Sequence, residues 1–134
     1  MRTLHPILFV VLLAAPSGCD DKKGTVPDAS KLRSDSNVFQ LTDANFQREV
    51  IEHDKPVLVD MWAPWCQPCL KMKPVVQLLA EEFAGQVRVA ELDVSNNPFI
   101  KQKYAVDRYP MLLTFVNGVE VQRIVGQKSQ FELS

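Results

Sequence analysis

The sequence of 134 residues is poor in the residues that mark several common protein classes. Its five glycines form no glycine-rich run for cradling a phosphate. Its 15 Lys and Arg are matched by 16 Asp and Glu without a basic stripe, which excludes a strongly basic nucleic-acid binder. Three cysteines are too few for a small fold stapled by disulfides. Because 46% of the residues are hydrophobic, disorder throughout is also excluded, and one globular domain is expected.

The amino end predicts export. An apolar run from Ile7 to Ala15 is too short to span a membrane but suits a signal peptide. The segment P-S-G-C that follows, ending in Cys19, resembles the bacterial lipoprotein signal, in which the cysteine after the cleavage site carries the lipid. Pro16 departs from that pattern, which usually has an aliphatic residue there. A plain secretory signal with an incidental Cys19 is the alternative.

The resemblance to lipoproteins implies three segments. Residues 1–18 are expected to be a signal peptide, and residues 19–37 a lipid-anchored flexible tether, because the tether has no aromatic residue and only scattered aliphatic ones. Residues 38–134 are expected to form the folded domain. Asp20, directly after Cys19, resembles a retention signal for the inner membrane, so the expected location is the periplasmic face of that membrane.

From Val38 onward, strand and helix patterns alternate and predict an α/β domain with a mixed sheet of about five strands. The predicted strands are Val38–Leu41, Val57–Trp62, Val87–Val94, Met111–Val116 and Val119–Val125. The predicted helices are Asp43–His53, Cys66–Phe83, Pro98–Tyr104 and a short last helix that Ser129 and Glu132 cap. Asn117-Gly118 predicts an antiparallel hairpin at the end of the sheet, after parallel crossovers.

The chemistry of the sequence lies in W-C-Q-P-C. Cys66 and Cys69 are three residues apart at the start of a predicted helix, a spacing that permits both a dithiol and a disulfide. Cys66 would lie at the positive end of that helix, which favours its thiolate, whereas Cys69 is one turn inside. We therefore expect Cys66 to attack a substrate disulfide and Cys69 to resolve the mixed disulfide. Pro68 stiffens the turn between them.

Two other interpretations of the cysteines are weaker. Zinc needs about four ligands, and the chain has no second pair of thiols, while His5 leaves with the signal and only His53 remains. No metal site is therefore predicted. A purely structural disulfide would close so small a loop that it would constrain the unfolded chain very little.

The segment D-M-W-A-P-W-C-Q-P-C resembles the active-site region of the thioredoxin family, and the likeness covers nearly all of residues 38–134. Gln67 replaces the glycine that thioredoxins usually have between the cysteines. Further matching positions are Asp60, Trp62, Trp65, Pro74, Tyr109-Pro110 and Gly126. The resemblance implies a thioredoxin fold, disulfides of proteins as substrates, and no dissociable cofactor, because the two sulfurs hold the electrons.

The resemblance also implies roles for single residues. Asp60 would accept the proton of Cys69, since burial raises the pKa of a carboxyl group; a strand-end Asp60 that caps the next turn is the alternative. Pro110 would be cis and would present the backbone of Tyr109 to a substrate chain, the alternative being an ordinary trans proline. Trp65 would shield the sulfur pair and contact substrate, a role in the core alone being the alternative for both tryptophans. Gln67, Pro68, Tyr109 and Pro110 complete the expected binding surface. Trp62 is expected in the core.

Three departures from the family pattern bear on these roles. Glu91 stands where thioredoxins usually place a lysine near the buried aspartate. We hypothesise that Glu91 assists proton transfer, and a solvated Glu91 without a role is the alternative. Tyr109 is bulkier than the usual residue and would narrow the range of substrates. The last helix is short for the family.

Together these features predict an exported protein-disulfide reductase. Gln67-Pro68 lacks the histidine that many oxidising relatives carry between the cysteines, which favours reduction over oxidation. Outside the cytoplasm a reductase needs an electron supply, and the resemblance implies a membrane-embedded thiol carrier. The alternatives are a thiol oxidase or isomerase of the same fold, and a non-catalytic binding module that uses the surface around Pro110.

Overall fold

The computed structural model describes residues 37–134. The predicted signal peptide, Cys19 and the predicted tether up to residue 36 lie outside this range. In residues 37–134, no helix combines the length and the hydrophobicity needed to cross a lipid bilayer.

A five-stranded mixed sheet forms the centre of the domain. Its strands are β1 (Phe39–Leu41), β2 (Val57–Trp62), β3 (Arg88–Asp93), β4 (Met111–Val116) and β5 (Val119–Val125). Their order across the sheet is β1-β3-β2-β4-β5. Strands β1 and β2 run parallel to β3, whereas β4 runs antiparallel to β2 and β5. The predicted mixed sheet, with its parallel part first and its hairpin last, is confirmed.

Helices cover both faces of the sheet. They are α1 (Gln67–Glu82), α2 (Pro98–Lys103) and α3 (Gln130–Leu133), together with a π-helical turn at Gln47–Ile51. On one face, the π-helical turn and α2 cover a cluster that includes Phe46, Val50, Val59, Met61 and Ile100. On the other face, α1 and α3 cover a cluster that includes Leu58, Val76, Leu79, Val89 and Leu133. Alternate side chains of β2 therefore enter different clusters, as expected for a central strand.

The predicted helix Asp43–His53 is wrong in its extent and type. Thr42 does begin a turn, since its hydroxyl accepts a hydrogen bond from the Asn45 N–H at 3.3 Å. The carboxylate of Asp43, however, accepts hydrogen bonds from the N–H groups of Phe99 and Ile100 at 3.0 and 2.9 Å. Asp43 thus caps α2 across the molecule, and the segment forms only turns and the short π-helical turn.

The predicted hairpin between β4 and β5 is confirmed, and its glycine is sterically required. Asn117 and Gly118 have φ angles of 51° and 77°, which lie in the left-handed region. A Cβ atom on Gly118 would lie 2.6 Å from the backbone oxygen of Ile51. The hairpin therefore packs against the end of the π-helical turn so closely that only glycine fits.

We expect Gly118→Ala to lower the free energy of unfolding by about 2 kcal/mol or more, because it adds both left-handed strain and a backbone clash. Urea unfolding of the oxidised protein measures this loss. Gly85→Ala is the matched control, since Gly85 also has a positive φ, 81°, but no atom within 4 Å of the added Cβ. The control should lose about 1 kcal/mol. Equal losses would show that the contact with Ile51 costs nothing.

Candidate active site

Both cysteines of W-C-Q-P-C lie at the N-terminal end of α1, which follows β2 in the chain. Cys66 is the N-cap residue of α1, and its N–H donates to the Ala63 oxygen at 3.0 Å, which closes the turn after β2. Cys66 and Cys69 form a disulfide with their Cα atoms 5.3 Å apart. The disulfide that the spacing permits is therefore present, and the rigid end of a central strand positions it.

The two sulfurs have different surroundings. Cys66 is 6% exposed to solvent, whereas Cys69 is fully buried. The backbone N–H of Cys69 donates a hydrogen bond to Cys66 Sγ at 3.2 Å. In the reduced protein, this N–H and the positive end of the 16-residue helix would both stabilise a thiolate on Cys66. Cys66 is thus the more accessible of the two sulfurs, at a position that favours a thiolate.

Asp60 lies beneath the start of α1, on the sheet face that it shares with Leu58 and Trp62. Its exposure is 0%, and neither carboxylate oxygen accepts a hydrogen bond from any residue in the described range. Burial, with a smaller contribution from the charge of Glu91, raises the pKa of Asp60 to about 7, while Lys73 acts in the opposite direction. The alternative of Asp60 as a turn cap is therefore wrong, and the side chain is a buried group able to exchange a proton near neutral pH.

Glu91 is the register partner of Asp60 on the neighbouring strand β3. Its carboxylate accepts hydrogen bonds from Lys73 Nζ and from Gln40 Nε2, each at 2.7 Å. Lys73 Nζ also lies 3.5 Å from the centroid of the Trp62 ring. Glu91 is therefore fixed by two partners and is close to Asp60, rather than simply solvated. Its role in proton transfer stays a prediction.

Lys73 is the residue of this site that sequence analysis missed. A signal was present, because Lys73 follows Cys69 by four residues and so lies on the same side of α1. The sequence did not show that this side of α1 faces Glu91 on β3.

The surface beside Cys66 is formed by two loops. Trp65 is 64% exposed and contacts Tyr109 edge to face, with ring centroids 5.3 Å apart. The Tyr109–Pro110 peptide is cis, and the hydroxyl of Tyr109 donates to the Val106 oxygen at 3.1 Å. Gln67 and Pro68 are exposed on the first turn of α1. The structure thus brings together Trp65 and Tyr109 from the predicted binding surface.

Trp62 lies at the end of β2 and is half-buried, packed against the cluster that also contains Cys66 and Cys69. The prediction of a core residue is therefore correct in part, because the face of its indole ring carries the ammonium of Lys73. Among residues 37–134, no three His, Cys, Asp or Glu side chains are grouped so that they could hold a metal ion.

The known proteins that this chain resembles are thioredoxins. The thioredoxin family model matches residues 37–134, which is the whole described range. The chain is 43% identical over 90 residues to a thioredoxin of Porphyra purpurea, which covers 67% of this chain and 84% of that protein. It is 39% identical over 99 residues to thioredoxin 1 of a Nostoc species, covering 74% and 92%. It is 43% identical over 98 residues to a thioredoxin of Mycobacterium tuberculosis, covering 73% and 84%.

We expect Asp60→Asn to stabilise the oxidised protein more as the pH rises. Between the ordinary pKa of 3.8 and the raised pKa of about 7, the folded protein keeps a proton that the unfolded chain loses. The stability of the unsubstituted protein therefore falls with pH across this window, and Asn has no charge to bury. Urea unfolding at pH 4 and pH 9 should give differences of about zero and on the order of 4 kcal/mol. A difference that does not change with pH would contradict the raised pKa.

Proposed function

This chain belongs to the thioredoxin family and is a disulfide oxidoreductase, and from that premise we propose that it reduces disulfides of exported proteins. The observation that carries the proposal is the difference between the two sulfurs. Cys66 is accessible at the N-terminus of α1, and Cys69 is buried one turn further along.

The proposed reaction begins with the reduced protein. The thiolate of Cys66 attacks one sulfur of the substrate disulfide, which forms a mixed disulfide and releases the other substrate sulfur as a thiolate. The hydrogen bond from the Cys69 N–H and the helix terminus favour the attacking thiolate. The negative charge passes from Cys66 Sγ to the released substrate sulfur, and the step needs no further reactant.

Resolution of the mixed disulfide then requires Cys69 to lose its proton. We assign the acceptance of that proton to the Asp60 carboxylate, whose raised pKa suits exchange near neutral pH. The Cys69 thiolate attacks Cys66 Sγ, the Cys66–Cys69 disulfide forms, and the second substrate sulfur leaves as a thiolate that takes a proton. Two electrons pass from the pair of cysteines to the substrate, so no dissociable cofactor takes part.

Substrate binding is assigned to the surface beside Cys66, where Tyr109 is half-buried and Pro110 is buried. Trp65, Gln67 and Pro68 lie on one side of it, and Tyr109 and Pro110 lie on the other. An extended substrate chain would pair with the backbone at Tyr109, in the manner of an added strand. The bulk of Tyr109 against the ring of Trp65 would limit which side chains can lie next to the substrate cysteine.

The cellular setting of the proposal comes from the amino end. The lipoprotein-like segment before Cys19 supports a lipid anchor at the periplasmic face of the inner membrane. In that compartment the Cys66–Cys69 disulfide must be reduced again, and we propose a membrane-embedded dithiol carrier as the donor. The exchange with this donor reverses the two thiol–disulfide steps and supplies two electrons.

We expect Cys66→Ser to abolish reduction of insulin disulfides and Cys69→Ser to trap mixed disulfides with substrate proteins, because Cys69 performs the resolving attack. Turnover by dithiothreitol-coupled insulin reduction and non-reducing gels of the trapped species measure these outcomes. Turnover that survives Cys66→Ser would reject Cys66 as the nucleophile, and a folded chain without any turnover would favour a binding module.

Direction is tested on the same preparation by the reduction potential of the Cys66–Cys69 pair. A reductase requires a potential near the reducing end of the family range, about −270 mV. A potential near −120 mV, which is typical of strong thiol oxidants, would overturn the assignment as a reductase in favour of an oxidase.

We expect Cys19→Ala to release the exported protein from the membrane fraction, because the lipid would have no attachment point. Fractionation of cells that express the full chain, with and without the substitution, measures this. Cys66→Ser serves as the matched control and should remain in the membrane fraction. Unchanged fractionation of Cys19→Ala would contradict lipidation at Cys19.

A further inference from the structure

Three charged or titratable side chains form a line from the interior to the surface at one edge of the active site. Asp60 on β2 has no exposure, the side chain of Glu91 on β3 is 14% exposed, and that of Lys73 on α1 is 33% exposed. Glu91 is the register partner of Asp60, and its carboxylate binds Lys73 Nζ at 2.7 Å. The exposed fraction therefore rises from Asp60 through Glu91 to Lys73.

Lys73 is held in place by more than that ion pair. Its ammonium lies 3.5 Å from the centroid of the Trp62 ring, so strand β2 contributes a cation–π contact. Lys73 also follows Cys69 by four residues, so both side chains extend from the same side of α1, towards the sheet face that carries Asp60. The position of the ammonium is thus determined by α1, β2 and β3 together.

We propose that Lys73 is a positioning residue for the proton step, which fixes the Glu91 carboxylate and places a positive charge on the α1 side of Asp60. This inference rests on the proposed function, since Asp60 is there the acceptor of the Cys69 proton. Lys73 itself touches neither the sulfurs nor the substrate in this assignment. It sets how readily Asp60 gains and releases its proton.

The charges around Asp60 determine the direction in which each substitution shifts its pKa. Strand β3 presents Glu91, helix α1 presents Lys73 and the two cysteines, and strand β4 presents the apolar register partner Leu112. The negative charge of Glu91 raises the pKa of Asp60, and the positive charge of Lys73 lowers it. Removal of the Lys73 charge should therefore raise the pKa of Asp60, and removal of the Glu91 charge should lower it.

The oxidised protein allows a clean test, because disulfide-bonded cysteines do not titrate. The ¹³C chemical shift of the Asp60 carboxyl, followed from pH 4 to pH 10, reports its titration directly. We expect Lys73→Met to raise the midpoint by about 0.5 to 1 unit and Glu91→Gln to lower it by a similar amount. The double variant should lie between the single ones. Met retains the apolar stem that packs on Trp62, so it separates the charge from the packing.

Turnover then tests the link to the reaction. If Asp60 accepts the Cys69 proton, the acid limb of the pH–rate profile for mixed-disulfide resolution should move with the titration of Asp60. Lys73→Met should slow resolution about 3- to 10-fold on that limb, and Glu91→Gln should accelerate it. If the ion pair were purely structural, its loss would lower the stability of both variants without shifting their Asp60 titration midpoints in opposite directions.

Lys71→Met is the matched control, because it removes the same charge from an exposed position on another side of α1 and should leave the Asp60 midpoint unchanged. An unmoved midpoint in Lys73→Met, or equal shifts in the same direction for Lys73→Met and Glu91→Gln, would overturn the role of Lys73. Asp60→Asn separates the two proposals. One outcome is that the pH–rate profile of Asp60→Asn has the same acid limb as that of the unsubstituted protein, while the Asp60 midpoints of Lys73→Met and Glu91→Gln shift as expected. In that case the role of Asp60 in turnover fails and the electrostatic role of Lys73 stands.

Discussion

The hydrogen bond from the Cys69 N–H to Cys66 Sγ is the interaction on which the proposed reactivity of Cys66 depends. It exists because Cys66 is the N-cap of α1, where the first N–H groups of a helix lack backbone partners. The remaining elements hold that helix end in position. Strand β2 places it at the middle of the sheet, and the apolar cluster that contains Leu79 anchors the rest of α1.

Much of this architecture could be predicted from the sequence because the relevant signals are local. The apolar run Val57–Trp62 predicted strand β2, and the pair Asn117-Gly118 predicted a tight hairpin. The two cysteines at the start of a helix pattern placed the reactive centre. In each case neighbouring residues carry the information, and packing added little to it.

The features that could not be predicted depend on contacts between distant segments. Asp43 has the pattern of a residue in a first helix, yet its carboxylate caps α2, a contact that only the folded arrangement shows. Lys73 was missed for a similar reason. Which side of α1 faces Glu91 depends on how the helix lies on the sheet, and no local pattern of a single sequence specifies that.

The burial of Asp60 without a hydrogen-bond partner also separates the stable form of the domain from its reactive form. The protonated carboxyl suits the interior, whereas the ionised carboxyl is the one that can remove a proton from a thiol. The protonation state of this one carboxyl group that favours stability is therefore not the state that favours proton removal. A substitution that stabilises the fold by removing this carboxyl group would also remove the proposed base, whereas Asp60 keeps that base in a less stable fold.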